Sequence, residues 1–145
     1  MSNPTCRLCG REIPPEKRIT IEGKQDICYD CYKQQAPMVC VDFDGVLAQY
    51  DGWKGPDHLG DPIPGIRIFL SGLKEMGFCI TILTTRKTQK VNHWILTHRL
   101  ADYIDHVTNK KPPAKAYIDD RGICFKGDFS EVIARLRGFK PWWEK

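Results

Sequence analysis

Long apolar runs are missing from this sequence. No stretch approaches the roughly 20 residues that a membrane helix needs, so no contact with a bilayer is expected. The opening Met1-Ser2-Asn3-Pro4-Thr5-Cys6 lacks the basic and apolar regions of a secretory leader, and a cytoplasmic location is expected. Internal repeats and low-complexity tracts are also absent, which excludes a solenoid or a disordered tract. No basic stripe is present either. The net charge of +4 arises from mixed signs, so it permits a phosphorylated or nucleic-acid partner without arguing for one. What remains, at 145 residues with 41% hydrophobic and 28% charged, is a globular chain of one domain or of one domain with a small appendage.

Cysteine, by contrast, is abundant: there are seven, in two groups. Cys6, Cys9, Cys28 and Cys31 form two C-x-x-C pairs, while Cys40, Cys79 and Cys124 stand alone in apolar stretches and are expected to be small buried hydrophobes. In a cytosolic protein the paired set points to a metal rather than to disulfides. Each C-x-x-C turn can present two sulfurs to one ion, and two turns complete a tetrahedral zinc shell with no position left for water, so the zinc is structural. Gly10 suits the tight turn after Cys9, and Ile19-Thr20-Ile21 with Glu22-Gly23-Lys24 suggests a hairpin between the two pairs. The segment resembles zinc ribbon or treble-clef-type modules. These bind nucleic acid or protein, or merely brace a neighbouring domain, and the sequence leaves all three roles open.

The texture changes at Gln34-Gln35-Ala36-Pro37, which divides the chain into a zinc-binding domain, 1–37, and a second domain, 38–145. The second domain alternates strand-like and helix-like segments. Strands are expected at Met38–Val41, Phe78–Leu83, His106–Val107, Ala116–Ile118 and Ile123–Phe125. Helices are expected at Gly65–Met76, Lys87–Leu100 and Phe129–Leu136. This alternation implies an α/β fold with a doubly wound, mostly parallel five-stranded Rossmann-like sheet. Ligands bind beyond the carboxyl ends of such strands. There the sequence sets Asp42 and Asp44 after the first strand, Thr84 after the second, and Asp119 and Asp120 after the fourth.

Two carboxylates at i and i+2 past a buried strand, in Val41-Asp42-Phe43-Asp44-Gly45, repel each other unless a cation lies between them. A calcium loop is excluded because no later acid falls at the required positions. Further along come Leu83-Thr84-Thr85-Arg86, then Lys110-Lys111-Pro112-Pro113, then Tyr117-Ile118-Asp119-Asp120-Arg121. In this order the segments resemble the four motifs of the haloacid dehalogenase-like superfamily, over Met38 to about Leu136.

The resemblance implies a magnesium-dependent phosphatase. Asp42 matches the nucleophile that becomes an aspartyl-phosphate, and Asp44 the general acid–base found in the phosphatase branch. Thr84 matches the hydroxyl that holds the phosphoryl group, with Thr85 its rival. Lys111 matches the neutralising lysine, with Lys110 in reserve. Asp119 and Asp120 match the acids that complete the magnesium site with Asp42 and the Asp44 carbonyl. Arg86 and Arg121 are expected at the mouth, as phosphate clamps or as partners of Asp119 or Asp120. Neither Ala48–Pro64 nor the stretch from Lys87 can hold a cap domain. An open site suits a bulky phosphorylated substrate such as a nucleic-acid end. Tyr50, Trp53, Lys54 and His58 either form a stacking and charge surface or pack the loop down. The apolar ending Phe139-Lys140-Pro141-Trp142-Trp143 either folds back or contacts a partner. The alternative function is a zinc-knuckle adaptor whose second domain binds phosphorylated partners with little turnover.

Overall fold

The computed structural model describes residues 3–6, 10–14, 18–19, 27–28 and 36–144. The chain divides into two units, Met1–Pro37 and Met38–Lys145. In the first, Thr5 bridges Glu12, and the Gly10 amide donates to the Cys6 carbonyl at 2.8 Å. Gly10 has φ 72, the left-handed conformation that closes this turn without a Cβ penalty. Strands β1 (Arg18–Ile19) and β2 (Ile27–Cys28) pair antiparallel. Cys6 is buried, and the Cys28 backbone belongs to β2. Cys9 and Cys31, and with them the geometry of the expected zinc site, lie outside the described residues, as does the turn at 22–24.

The second unit is built on β3 (Met38–Asp42), β4 (Cys79–Leu83), β5 (His106–Thr108) and β6 (Ala116–Ile118). All pair in parallel, in the order β5-β4-β3-β6. The two central strands are near-continuous apolar runs, as strands covered on both faces must be. Val39, Val41, Ile80 and Ile82 are all nearly or fully buried.

Three helices accompany the sheet: α1 (Ile66–Glu75), α2 (Thr88–Thr97) and α3 (Phe129–Arg137). In α2 the helical spacing buries Val91, Trp94 and Ile95, and Trp94 meets Phe43 edge-on at 4.8 Å. In α1 Leu70 is buried, and Gly77 with φ 86 ends the helix. Asp128 caps α3 by accepting from the Ser130 and Glu131 amides at 2.9 and 3.3 Å. No residue of α3 is buried.

The sheet has four strands among the described residues, not five. Ile123-Cys124-Phe125 is irregular backbone. The Cys124 carbonyl accepts from Arg135 Nη1 at 3.2 Å, and Phe125 turns its ring to Phe129 at 5.1 Å. Three apolar residues between Gly122 and Lys126-Gly127 make no ladder with β6, and their contacts go to α3 instead. Cys124 is accordingly exposed, whereas Cys40 and Cys79 are buried as expected.

Residues 48–64 form a loop closed at its base. The Gln49 amide donates to the Asp61 carbonyl at 2.8 Å and the Ile63 amide to Leu47 at 2.9 Å. Trp94 Nε1 pins the loop by donating to the Gly60 carbonyl at 2.8 Å. Such a loop has no room for a cap. No helix among the described residues is long and apolar enough to cross a membrane.

Candidate functional site

The chain runs from β3 outward to β4 and β5, then returns to the other side of β3 as β6. The strand order therefore reverses between β3 and β6, and a crevice opens beyond the carboxyl ends of strands at such a point. Val41 pairs with Ile118, so the next residues, Asp42 on β3 and Asp119-Asp120 after β6, emerge side by side. One carboxylate oxygen from each of Asp42, Asp119 and Asp120 lies within 4.8 Å of the other two.

Three bare carboxylates at that spacing cannot all hold their charge cheaply. Burial first, then a side-chain hydrogen bond with Asp120 and the charges of Asp119 and Asp120, push Asp42 up to about 8 from 3.8; the Phe43 amide, 2.7 Å from Asp42 Oδ1, pulls the other way. Among the described residues no ion pair involves Asp42, Asp119 or Asp120. Asp120 Oδ1 is buried without a hydrogen-bond partner. An all-oxygen donor set with an orphaned buried oxygen fits a hard divalent cation, whose charge would replace the shared proton.

Asp44 is situated differently, because its carboxylate is not part of this cluster. Arg86 Nε donates to Asp44 Oδ2 at 2.8 Å and Nη2 to Oδ1 at 3.1 Å, a two-pronged pair. Arg86 is only 5% exposed, and its Nη1 also donates to the Gly55 carbonyl at 3.0 Å. The arginine expected at the mouth is thus an interior strut between the Asp44 turn and the 48–64 loop. Its acidic partner is Asp44 rather than Asp119 or Asp120.

A cleft of about 450 Å³ joins these groups, lined by Asp42, Asp44, Thr84, Lys111, Asp119 and Asp120, among others. Thr84 is buried, and its Oγ1 accepts from the Arg86 amide at 3.0 Å; Thr85 is exposed on the same cleft. Lys111 faces the cleft with its ammonium 4.3 Å from the Tyr117 ring centre. Lys110 is exposed, does not line the cleft, and donates its amide to Thr108 Oγ1 at 3.1 Å. Arg121 lines the cleft between the Tyr50 and Trp143 rings, at 5.8 and 5.3 Å.

No protein-family model and no curated relative matches the chain. Among solved structures, a conserved protein from Bacteroides thetaiotaomicron matches with a TM-score of 0.49 at 19% identity, over 71% of this chain and 91% of that one.

Two sets of contacts that hold the residues of the cleft were not assigned from sequence. Asn109 donates from Nδ2 to the Thr84 and Arg86 carbonyls, both at 2.7 Å, tying the turn after β5 to the turn after β4. Its position just past a strand end is a signal that sequence carries. The other is the C-terminal pair of indoles. Trp143 Nε1 donates to Asp120 Oδ2 at 2.5 Å, and Trp142 Nε1 to the Gly45 carbonyl at 2.7 Å. The ending therefore folds back onto the acidic turns. Gly45, at φ 80, leaves no space for a side chain: a Cβ there would lie 2.5 Å from Asp120 Oδ2 and 2.8 Å from Trp143 Nε1. Trp143 thus occupies one oxygen of Asp120 and leaves the other for the cluster.

Proposed function

We propose that this protein is a magnesium-dependent phosphatase of the haloacid dehalogenase-like kind, acting on a bulky phosphorylated substrate such as a nucleic-acid end. The observation that carries the proposal is the triad of Asp42, Asp119 and Asp120 at the sheet's switch point, with Asp42 raised to about 8 in the absence of a cation. Asp42, Asp119 and Asp120 would hold the magnesium, with the Asp44 carbonyl as the ligand the resemblance adds. Bound magnesium would supply a hard positive charge to offset the charge of the nucleophile and the phosphoryl group.

In the first half-reaction an Asp42 oxygen attacks phosphorus. The bond from phosphorus to the substrate oxygen breaks, and that oxygen takes a proton from Asp44. In the second half, Asp44 takes a proton from water as the water oxygen attacks the aspartyl-phosphate, releasing phosphate and restoring Asp42. The Gly55 carbonyl holds Arg86 independently of Asp44, so the arginine has an anchor in either protonation state of Asp44. Lys111 and Thr84 would steady the phosphoryl oxygens. The zinc module would brace the N-terminal unit.

One observation favours a second assignment, a phosphate-binding adaptor with little turnover: both Asp44 oxygens are engaged by Arg86. Hydrolysis of an aryl phosphate with and without magnesium, in the native chain and in Asp42→Asn, separates the two. Magnesium-dependent turnover lost in the variant supports the phosphatase. Phosphate binding without turnover in the native chain supports the adaptor.

A further inference from the structure

Trp53 lines the acidic cleft with 65% of its surface exposed, so it does not pack its loop down. An indole offers a large apolar face with a polar N–H at its edge, a form suited to a ligand that is itself planar and partly polar. One face of the ring is already occupied: the Arg86 guanidinium carbon is 4.7 Å from the ring centre. That guanidinium is buried and held by Asp44 on two nitrogens and by the Gly55 carbonyl on the third. The indole therefore rests on a rigid post that stands on Asp44.

The geometry points to a binding role for this ring. Asp44 is the group that hands its proton to the departing oxygen, so the alcohol leaves on the Asp44 side of the cleft, the side on which Trp53 exposes its ring. This step rests on the phosphatase assignment above. A ring pre-oriented on one face and open at the cleft is a stacking platform for a planar group, at little cost in ordering. We propose that Trp53 is the leaving-group subsite and that the substrate is a phosphorylated nucleoside, whose base stacks on the indole while its phosphate meets Asp42. Its source is either a free mononucleotide or the phosphorylated end of a strand. Tyr50 lines both this cleft and a neighbouring cavity of about 510 Å³ that includes Lys54 and Trp142, where further nucleotides of a strand would lie.

The test uses the full chain with magnesium and three probes: a nucleoside monophosphate, a short oligonucleotide with a terminal phosphate, and glycerol 2-phosphate. The expected kcat/KM is highest for the nucleosidic probes. Trp53→Ala is expected to lower their kcat/KM roughly tenfold more than that for glycerol 2-phosphate, and Trp53→Phe to restore most of the difference. A preference for the oligonucleotide identifies the strand end, and equal use of both identifies the mononucleotide. Loss by one common factor on all three probes, or no preference in the native chain, overturns the subsite while leaving the phosphatase standing. If no probe is turned over, the phosphatase assignment fails, and calorimetric binding of the nucleoside monophosphate to Asp42→Asn still decides the platform. Roughly tenfold weaker binding when Trp53→Ala is added upholds it, and unchanged binding overturns it.

Discussion

Asp42 and Asp44 are two residues apart, yet they occupy opposite electrostatic settings. Asp42 faces Asp119 and Asp120 with no ion pair among the described residues and is raised to about 8. Asp44 is gripped on both oxygens by a buried arginine. A carboxylate among carboxylates can share a divalent cation, whereas a carboxylate on a guanidinium is already charge-balanced and held in a fixed orientation. The same residue type at i and i+2 is therefore divided into a metal-seeking half and a protein-satisfied half.

The sharpest way to break this contrast is to remove each acid in turn. Asp42→Asn is expected to lower magnesium-dependent turnover by at least about a thousandfold, as loss of a covalent nucleophile does. It should leave melting temperature in magnesium-free buffer unchanged or higher, because it removes repulsion. Asp44→Ala is expected to lower turnover about a hundredfold or more. It should also destabilise the fold by about 3 kcal/mol in urea unfolding, because Arg86 is left buried without its partner. If both variants shifted stability in the same direction, the contrast would collapse.

A smaller effect sharpens it. The folded protein holds the Asp42 proton more tightly than the unfolded chain does, so this contribution to stability is fully present below 3.8 and is lost as pH rises through about 8. In magnesium-free buffer the melting temperature should therefore fall between pH 5 and 8, with a shallower slope in Asp120→Asn. Adding magnesium at pH 8 should restore it. A flat profile would contradict the upward shift of Asp42.

The next effect concerns the strap on Asp120. Trp143→Phe removes one donor to a carboxylate and should weaken magnesium binding roughly tenfold in calorimetry. The smallest expected contrast is between the lysines. Lys111→Ala should reduce kcat/KM several-fold more than Lys110→Ala, since only Lys111 lines the cleft.

Much of the fold was legible because its signals are local. Met38–Val41 and Phe78–Leu83 read as buried strands from their apolar runs, and Val91, Trp94 and Ile95 fall on one helical face by spacing. The fifth strand misled because Ile123-Cys124-Phe125 has strand composition without a strand partner. Whether an edge segment joins a sheet depends on what lies beside it, and sequence does not carry that. The chemistry-bearing acids were legible for a related reason. They sit within a residue or two of strand ends, and the topology of a parallel sheet brings those ends to one edge. Arg86 was misplaced although it adjoins Thr84 and Thr85. Its partner is 42 residues away, and a long side chain at a strand end can reach in several directions.

By itself, then, the sequence determined four of the five expected strands, the helices and the line of acids, because backbone propensity and hydrophobic period act over a few residues. Only the tertiary structure decided the partners: Arg86 on Asp44, Trp143 on Asp120 across 23 residues, and Trp142 on Gly45 across 97. Those choices rest on which side chains the fold brings within 3 Å of each other. No local pattern encodes that distance, since it is set by how the whole sheet and its loops close.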